Sequence, residues 1–356
     1  MSADPRLRTR FQELVDVKYP IVQTGMGWVA GARLTAATAN AGGLGIIAAA
    51  PMTYDQMVQA IAAVRDLTDK PFGVNMRTDV ADIDDRVRHL ISSEVAVASF
   101  AQAPGEATVK TLTDAGVVVI PTIGAPRHAE KVAQWGVDAV IAQGGEGGGH
   151  TGVIPTSLLI PSVVDAVDIP VIAAGGIFDG RGLVAALAYG AVGVAMGTRF
   201  LLTSDSDVPD EVKAIYLDTK LNGTVVTTAL DGVPQRVINT PLVQRLEKAK
   251  FLSFPAAARN AFKFARLTGT SPVALVKEGL AMRKSQDLTW SQMAMAANAP
   301  MMTKATMVDG RPEVGVLPTG QNTGVIDDLP SCEEMIQRIV AEATNALDRI
   351  SGVVEQ

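Results

Sequence analysis

The stretch AVIAQGGEGGGHTG, residues 139–152, joins an apolar run to a glycine-rich loop that carries a histidine. Residues 139–142 read as a buried strand, and the glycines after it let the backbone pass close to a flat or charged ligand. His150, one of three histidines in the chain, stands where a ligand would lie and not where a core would lie. It is the first candidate for a catalytic base. Working outward, the strand-then-glycine pattern recurs at QTGMG, 23–27, at AAGG, 173–176, and at MGT, 196–198.

Between residues 20 and 201, eight short apolar runs alternate with longer helical patterns. The expected strands are 20–25, 44–49, 71–76, 95–100, 117–123, 139–143, 170–174 and 193–196. The helices between them are expected at 33–41, 54–67, 82–92, 107–115, 127–135, 157–167 and 182–189. Continuous apolar strands separated by amphipathic helices imply a parallel sheet covered on both faces. A doubly wound open sheet usually carries its glycine fingerprint after the first strand. Here glycines follow the first, sixth, seventh and eighth strands, so the expected fold is an α/β (β/α)8 TIM barrel.

Beyond Phe200 the rhythm changes. The expected organisation is a barrel over 1–214, a mainly helical insertion over 215–315 near the C-terminus, and a segment 316–356 that returns to the barrel. In that last part Ile336, Ile339, Val340, Ala343 and Leu347 recur at helical spacing and suit the helix covering the eighth strand.

A length of 356 residues with 47% hydrophobic and 19% charged residues is globular. The charged start lacks an apolar signal core, and no apolar run meets the demands of a membrane span. The lone Cys332 and three histidines leave no disulfide framework and little for a metal site. A cytoplasmic setting without membrane partners is expected. A net charge of −6 argues against nucleic acid as partner. The charge is uneven. Arg236, Arg245, Lys248, Lys250, Arg259, Lys263, Arg266, Lys277, Arg283 and Lys284 face only Glu247 and Glu278, so 236–284 carries +8 and the rest −14. Such a segment suits a substrate with phosphates remote from the reacting carbon, or pairing with the acidic barrel or with another subunit of a homo-oligomer.

The glycine pairs after the seventh and eighth strands would lie side by side at the barrel mouth, where phosphates bind backbone N–H groups. Asp179 is expected to cap the helix that follows. Gln23 to Gly27 would lie against a flat ring, and the amides of Asn75 and Gln143 suit a ring edge presenting donors and acceptors. Glu146 either orients His150 or faces water. His89 and His128 read as surface helix residues, Arg181 and Arg199 as ion pairs or ligand contacts, and Met293, Met295, Met301 and Met302 as apolar packing.

The motifs QTGMGWV at 23–29, NAGGLG at 40–45, PFGVN at 71–75, GGEGGGHTG at 144–152, AAGGIFDGRG at 173–182 and MGTRF at 196–200 resemble the nitronate monooxygenase (2-nitropropane dioxygenase) family of FMN barrels. The segment 315–334 extends the likeness. RFLLTSDSDVPDEVK, LNGTVVTTALDGVPQRV and LTWSQMAMAANAP further resemble actinobacterial flavin oxidoreductases of that family acting on a bicyclic CoA ester in steroid-ring degradation. The resemblance implies FMN held by Gly25, Met26, Gly27, Asn75, Gln143, Gly148, Gly175, Gly176, Gly197 and Thr198, with His150 as catalytic residue. It implies NAD or NAD(P)H as electron partner and a small-molecule substrate, a CoA ester or a nitronate. Some relatives carry lysine where this chain has Thr122. Four readings follow: a CoA-ester oxidoreductase performing α,β-dehydrogenation or its reverse, a nitronate monooxygenase using O2, an NAD(P)H:quinone reductase, and a non-catalytic flavin-binding barrel.

Overall fold

A computed structural model describes residues 4–249 and 299–354. Eight parallel strands close into a barrel in the order β1 (Ile21–Gln23), β2 (Leu44–Ala48), β3 (Phe72–Met76), β4 (Val97–Phe100), β5 (Val118–Ile123), β6 (Val140–Gln143), β8 (Val171–Ala174) and β9 (Gly193–Met196). Closure is made by β1 against β9, with Val22 opposite Ala195. This is the TIM barrel expected from the eight apolar runs. Each strand is covered by helices on one side and packs inward on the other, which is why most strand residues are buried. Val22, Ile46, Val97, Ile120, Ile141, Ile172 and Ala195 form one apolar cluster, which Phe11 and Val15 of the helix Arg10–Val15 join.

The connecting helices run Ala32–Asn40, Tyr54–Leu67, Ile83–Ser92, Glu106–Asp114, Pro126–Gln134, Thr156–Val164 and Gly180–Ala188. Local chemistry starts them where the sequence leads one to expect. Thr53 and Gln56 form a capping box, and the Asp179 side chain accepts from Gly182 N at 2.9 Å. The eighth helix comes late, as Cys332–Val354, and packs on Gly180–Ala188 and Ala32–Asn40. Glu342 on it accepts from Gly180 N at 2.9 Å. Arg199, just after β9, is buried and pairs with Asp328 at 2.8 Å, while Arg338 of the late helix also pairs with Asp328, at 2.6 Å. Burial raises the Asp328 carboxyl, but the two guanidinium groups outweigh it and hold it below its ordinary range. Arg199 is thus a structural ion pair.

The described residues fall into two compact units. The barrel unit comprises 4–147, 152–207 and 326–354, and the second comprises 148–151, 208–249 and 299–325. The position 214 lies inside the helix Asp210–Asp218 of the second unit. That unit adds to the expected helices a small sheet that the sequence did not reveal. β10 (Thr224–Thr227) and β11 (Gln235–Ile238) pair antiparallel, and β11 also pairs with the two-residue β7 (Gly149–His150). Val225, Val226 and Val237 supply the β-branched character, and Asp231-Gly232, with Gly232 at φ +88°, lies in the connection. The sheet shares a core with helices Pro241–Ala249 and Ala299–Met307, in which Leu230, Val237, Val243, Leu246 and Met302 meet. Met301 is half-buried and Met302 buried, whereas Met293 and Met295 lie outside the described residues. So does the basic segment from Lys250 to Lys284. Arg236 donates to Thr224 Oγ1 at 2.9 Å and Arg245 to Pro241 O at 3.3 Å.

Candidate active site

In the barrel unit, the C-terminal strand ends gather most of the residues singled out from sequence. Gly25, Met26 and Gly27 follow β1, Asn75 lies in β3 and Gln143 ends β6. Gly175 and Gly176 follow β8, and Gly197 and Thr198 follow β9. Asn75 is buried and its Nδ2 donates to Ser99 Oγ at 3.4 Å. A Cβ on Gly25 would stand 2.5 Å from Asn75 Cβ, so only glycine lets β1 turn over that amide. Gln23 is not available to a ring. It is wholly buried, accepts from Ile46 N at 3.3 Å and donates to Ile46 O at 3.1 Å, bridging β1 to β2.

Gly175 and Gly176 have φ of +107° and +73°. Two such residues in succession turn the chain from β8 toward the helix Gly180–Ala188, and an added Cβ would stand 2.7 Å from Thr156 Oγ1 at Gly175 and 3.2 Å from Glu146 Cβ at Gly176. Glycine at 197 lies beside Met26, whose Sδ would stand 3.4 Å from an added Cβ. A crevice of about 280 Å³ opens at Gly175 and Gly176, with Glu146 and Asp179 among its polar lining and Ile160 and Tyr189 among its apolar lining. Arg181 pairs with Asp179 and is thereby drawn to the helix cap.

Glu146 has its own partner within the barrel unit. Its Oε2 accepts from Thr156 N at 2.9 Å and from Thr156 Oγ1 at 2.7 Å. The carboxylate therefore satisfies the N-terminus of the helix Thr156–Val164, a favourable place for negative charge.

The second unit holds the remaining two candidate residues, Gly148 and His150. Gly148 packs so that an added Cβ would stand 2.5 Å from the Thr319 carbonyl carbon. His150 is presented by β7 opposite Gln235 of β11. Its Nε2 lies 2.8 Å from Asp231 Oδ2 and 3.1 Å from Gln235 Nε2. Asp231 is held in turn by Val233 N at 3.0 Å on Oδ1 and by Gln235 Nε2 on Oδ2. The imidazole is 62% exposed while the Asp231 side chain is only 12% exposed. A base that is reachable, backed by a carboxylate that is not, is an arrangement for taking a proton and stabilising the resulting charge.

Sequence reasoning did not find Asp231 or Gln235. The available signal was Asp231-Gly232 between two β-branched runs, a pattern for a paired strand rather than a helix. The other histidines are as expected. His89 sits 3.2 Å from Ser93 Oγ and edge-on to Tyr54, and His128 is exposed beside Arg127. Among the described residues no cluster of three or more His, Cys, Asp or Glu side chains forms a metal site, and no helix is long and apolar enough to cross a membrane.

Known proteins resemble this chain along most of its length. A "(3aS,4S,5R,7aS)-5-hydroxy-7a-methyl-1-oxo-octahydro-1H-indene-4-carboxyl-CoA dehydrogenase" of Mycobacterium tuberculosis is 59% identical over 354 residues, covering 98% of this chain and 100% of the relative. A protein of the same name from Rhodococcus jostii is 59% identical over 348 residues, covering 98% and 99%. The solved structure of FabK from Thermotoga maritima superposes with a TM-score of 0.82 at 35% identity, covering 97% of this chain and 99% of that one. The family model described as nitronate monooxygenase matches residues 8–89 and 78–342. The chain belongs to the nitronate monooxygenase family of oxidoreductases.

Proposed function

We propose that this protein is an FMN-dependent oxidoreductase acting on a CoA ester of steroid-ring breakdown, by α,β-dehydrogenation or its reverse. The observation that carries the reading is the 59% identity running through 98% of the chain to two CoA-ester dehydrogenases. Coverage of that extent takes in the second unit along with the barrel.

The residues present suit FMN. The glycine pair 175–176 with positive φ supplies backbone for a phosphate, the turn at Gly25 over Asn75 and the glycine at 197 suit a flat ring, and the Asn75 and Gln143 amides suit its polar edge. The family resemblance adds Met26, Gly27, Gly148 and Thr198 to the residues proposed for FMN. Bound FMN would supply a two-electron acceptor, with NAD or NAD(P)H as its exchange partner. The chain's own contribution is His150, which takes the proton from the carbon next to the thioester carbonyl, with Asp231 offsetting the charge gained. A nitroalkane also has an acidified carbon, whose deprotonation gives the nitronate, and the family name keeps nitronate oxidation with O2 as the second reading.

Anaerobic mixing with CoA thioesters, nitronates, NADH and NADPH, followed by the flavin absorbance, tests the proposal. The expected result is fastest reduction by a bicyclic CoA thioester. His150→Ala is expected to slow it by roughly 10²-fold while flavin content is retained. Reduction by nitronates alone overturns the CoA-ester reading, and an unchanged rate in the variant removes His150 from the chemistry.

A further inference from the structure

Among the described residues, three positions other than glycine hold a positive φ: Asp16 at 54°, Trp28 at 66° and Glu94 at 51°. Asp16 caps the helix Arg10–Val15 and Glu94 follows the helix Ile83–Ser92, and one left-handed residue is a common way to end a helix. Trp28 ends none. It lies between β1 and the helix Ala32–Asn40, at the C-terminal end of the barrel strands. A left-handed conformation is uncommon for any residue with a Cβ and an outlier for a bulky one.

The turn around Trp28 is pinned. Met26 O accepts from Val29 N at 3.0 Å and from Ala30 N at 2.9 Å, and Ala30 O accepts from Ala48 N of β2 at 2.9 Å. Val29 and Ala30 are buried. Strain persists where the surroundings over-determine it in this way. The bond from Val29 N to Met26 O makes Gly27 and Trp28 the two central residues of a turn, and φ is positive only at the second. That second place is the one glycine ordinarily fills. Here the glycine stands one place earlier, where there is room for a side chain: the nearest atom to a Cβ built on Gly27 is Pro51 Cγ, at 4.0 Å.

The chain therefore keeps tryptophan where the backbone favours glycine, and burial does not account for it. Trp28 is half-buried, and among the described residues its indole makes no hydrogen bond and no ring contact. Met26 and Gly27, which directly precede it, are residues proposed for FMN. We infer that Trp28 is a specificity-determining residue whose indole forms a wall at the barrel mouth for an apolar ring system of the substrate. The inference rests on reading that mouth as the place where flavin and substrate meet. A flat, rigid wall favours a fused ring over a flexible chain. The ring buries apolar area against the indole with no rotamers to lose, whereas an acyl chain must be ordered to lie along it.

The test uses the full chain with its flavin and two CoA thioesters, one with a fused bicyclic acyl group and one with a butyryl group. The ratio of their second-order rate constants for anaerobic flavin reduction, bicyclic over butyryl, is expected to fall about 10- to 30-fold in Trp28→Ala. Trp28→Phe, which keeps an aromatic face, is expected to keep most of the ratio. Flavin content is expected to hold in both variants. The strain has its own readout, since Trp28→Gly is expected to melt about 2 °C or more above Trp28→Ala. An unchanged ratio in Trp28→Ala overturns the inference, because CoA is common to both substrates. So does loss of flavin in step with the rate, which would put the indole on the cofactor instead. A Trp28→Gly protein melting below Trp28→Ala removes the strain on which the inference stands. Wild-type flavin reduced by nitronates and by no thioester overturns the CoA-ester reading instead. The same ratio is then read between the nitronates of nitrocyclohexane and nitroethane, where no change in Trp28→Ala overturns the wall as well.

Discussion

Glu146 and Asp231 are both acidic side chains anchored by a backbone N–H, yet one ends on a helix and the other on an imidazole. Glu146 meets Thr156 with a single oxygen, taking its N–H at 2.9 Å and its hydroxyl at 2.7 Å. Asp231 divides its oxygens, one for Val233 N and one for His150 and Gln235. The division decides the role. A carboxylate whose bonds all go to the scaffold stiffens it, whereas one with an oxygen aimed at a titratable ring can govern that ring. Distance along the chain misleads here. Glu146 is four residues from His150 and Asp231 is 81, but the glycine run changes units between Gly147 and Gly148.

The largest effect is expected on the scaffold side of that division. A Cβ on Gly144 would stand 2.1 Å from Thr156 Oγ1 and 2.6 Å from both Thr156 N and Cα, all within the barrel unit. Thr156 cannot yield without giving up Glu146. Gly144→Ala is therefore expected to cost about 3 kcal/mol, the upper end of ordinary overpacking. Urea denaturation with the usual linear extrapolation measures it. Stability equal to wild type would mean that the Glu146–Thr156 arrangement is not rigid.

Glu146→Ala sharpens the contrast directly. It removes the partner of a helix N-terminus, and the expected loss is about 1–2 kcal/mol. The rate of flavin reduction per bound flavin should stay at the wild-type value, the opposite of what Asp231→Ala should do. Should Glu146→Ala slow the reaction as much as loss of Asp231, the separation of the two carboxylates into scaffold and ring partner would fail.

What was legible follows from where each interaction sits in the chain. The barrel strands could be read because a parallel strand buried on both faces is a continuous apolar run, as at 44–48 and 171–174. The Asp179 cap was legible because its partner is three residues on. Gln23 was misjudged because nothing local reveals that its amide spans to Ile46 on the next strand. β10 and β11 escaped because four-residue strands in a three-stranded sheet, one of them only partly buried, show too little alternation to stand out among helical stretches. Asp231 escaped with them, since a carboxylate 81 residues from its histidine leaves no spacing signal. The fold was thus readable nearly throughout, and the candidate site only where its parts lie at strand ends.

The smallest expected effect separates two reasons for glycine within the single run 144–152. Gly144 is confined by neighbouring atoms, but nothing lies within 4 Å of a Cβ built on Gly149. Gly149 is glycine for its backbone, with φ +65° in β7 beside His150. An L residue there pays only the left-handed penalty, about 1 kcal/mol for alanine. Asparagine enters that region several-fold more readily than most residues, so Gly149→Asn, though larger, should lose less stability than Gly149→Ala. At position 144, where contact rules, the order should reverse and the larger side chain should do more harm. Thermal midpoints of the four variants, read with the rate per bound flavin, check the pattern. A Gly149→Asn protein less stable than Gly149→Ala would show that space, not φ, constrains the strand that presents His150.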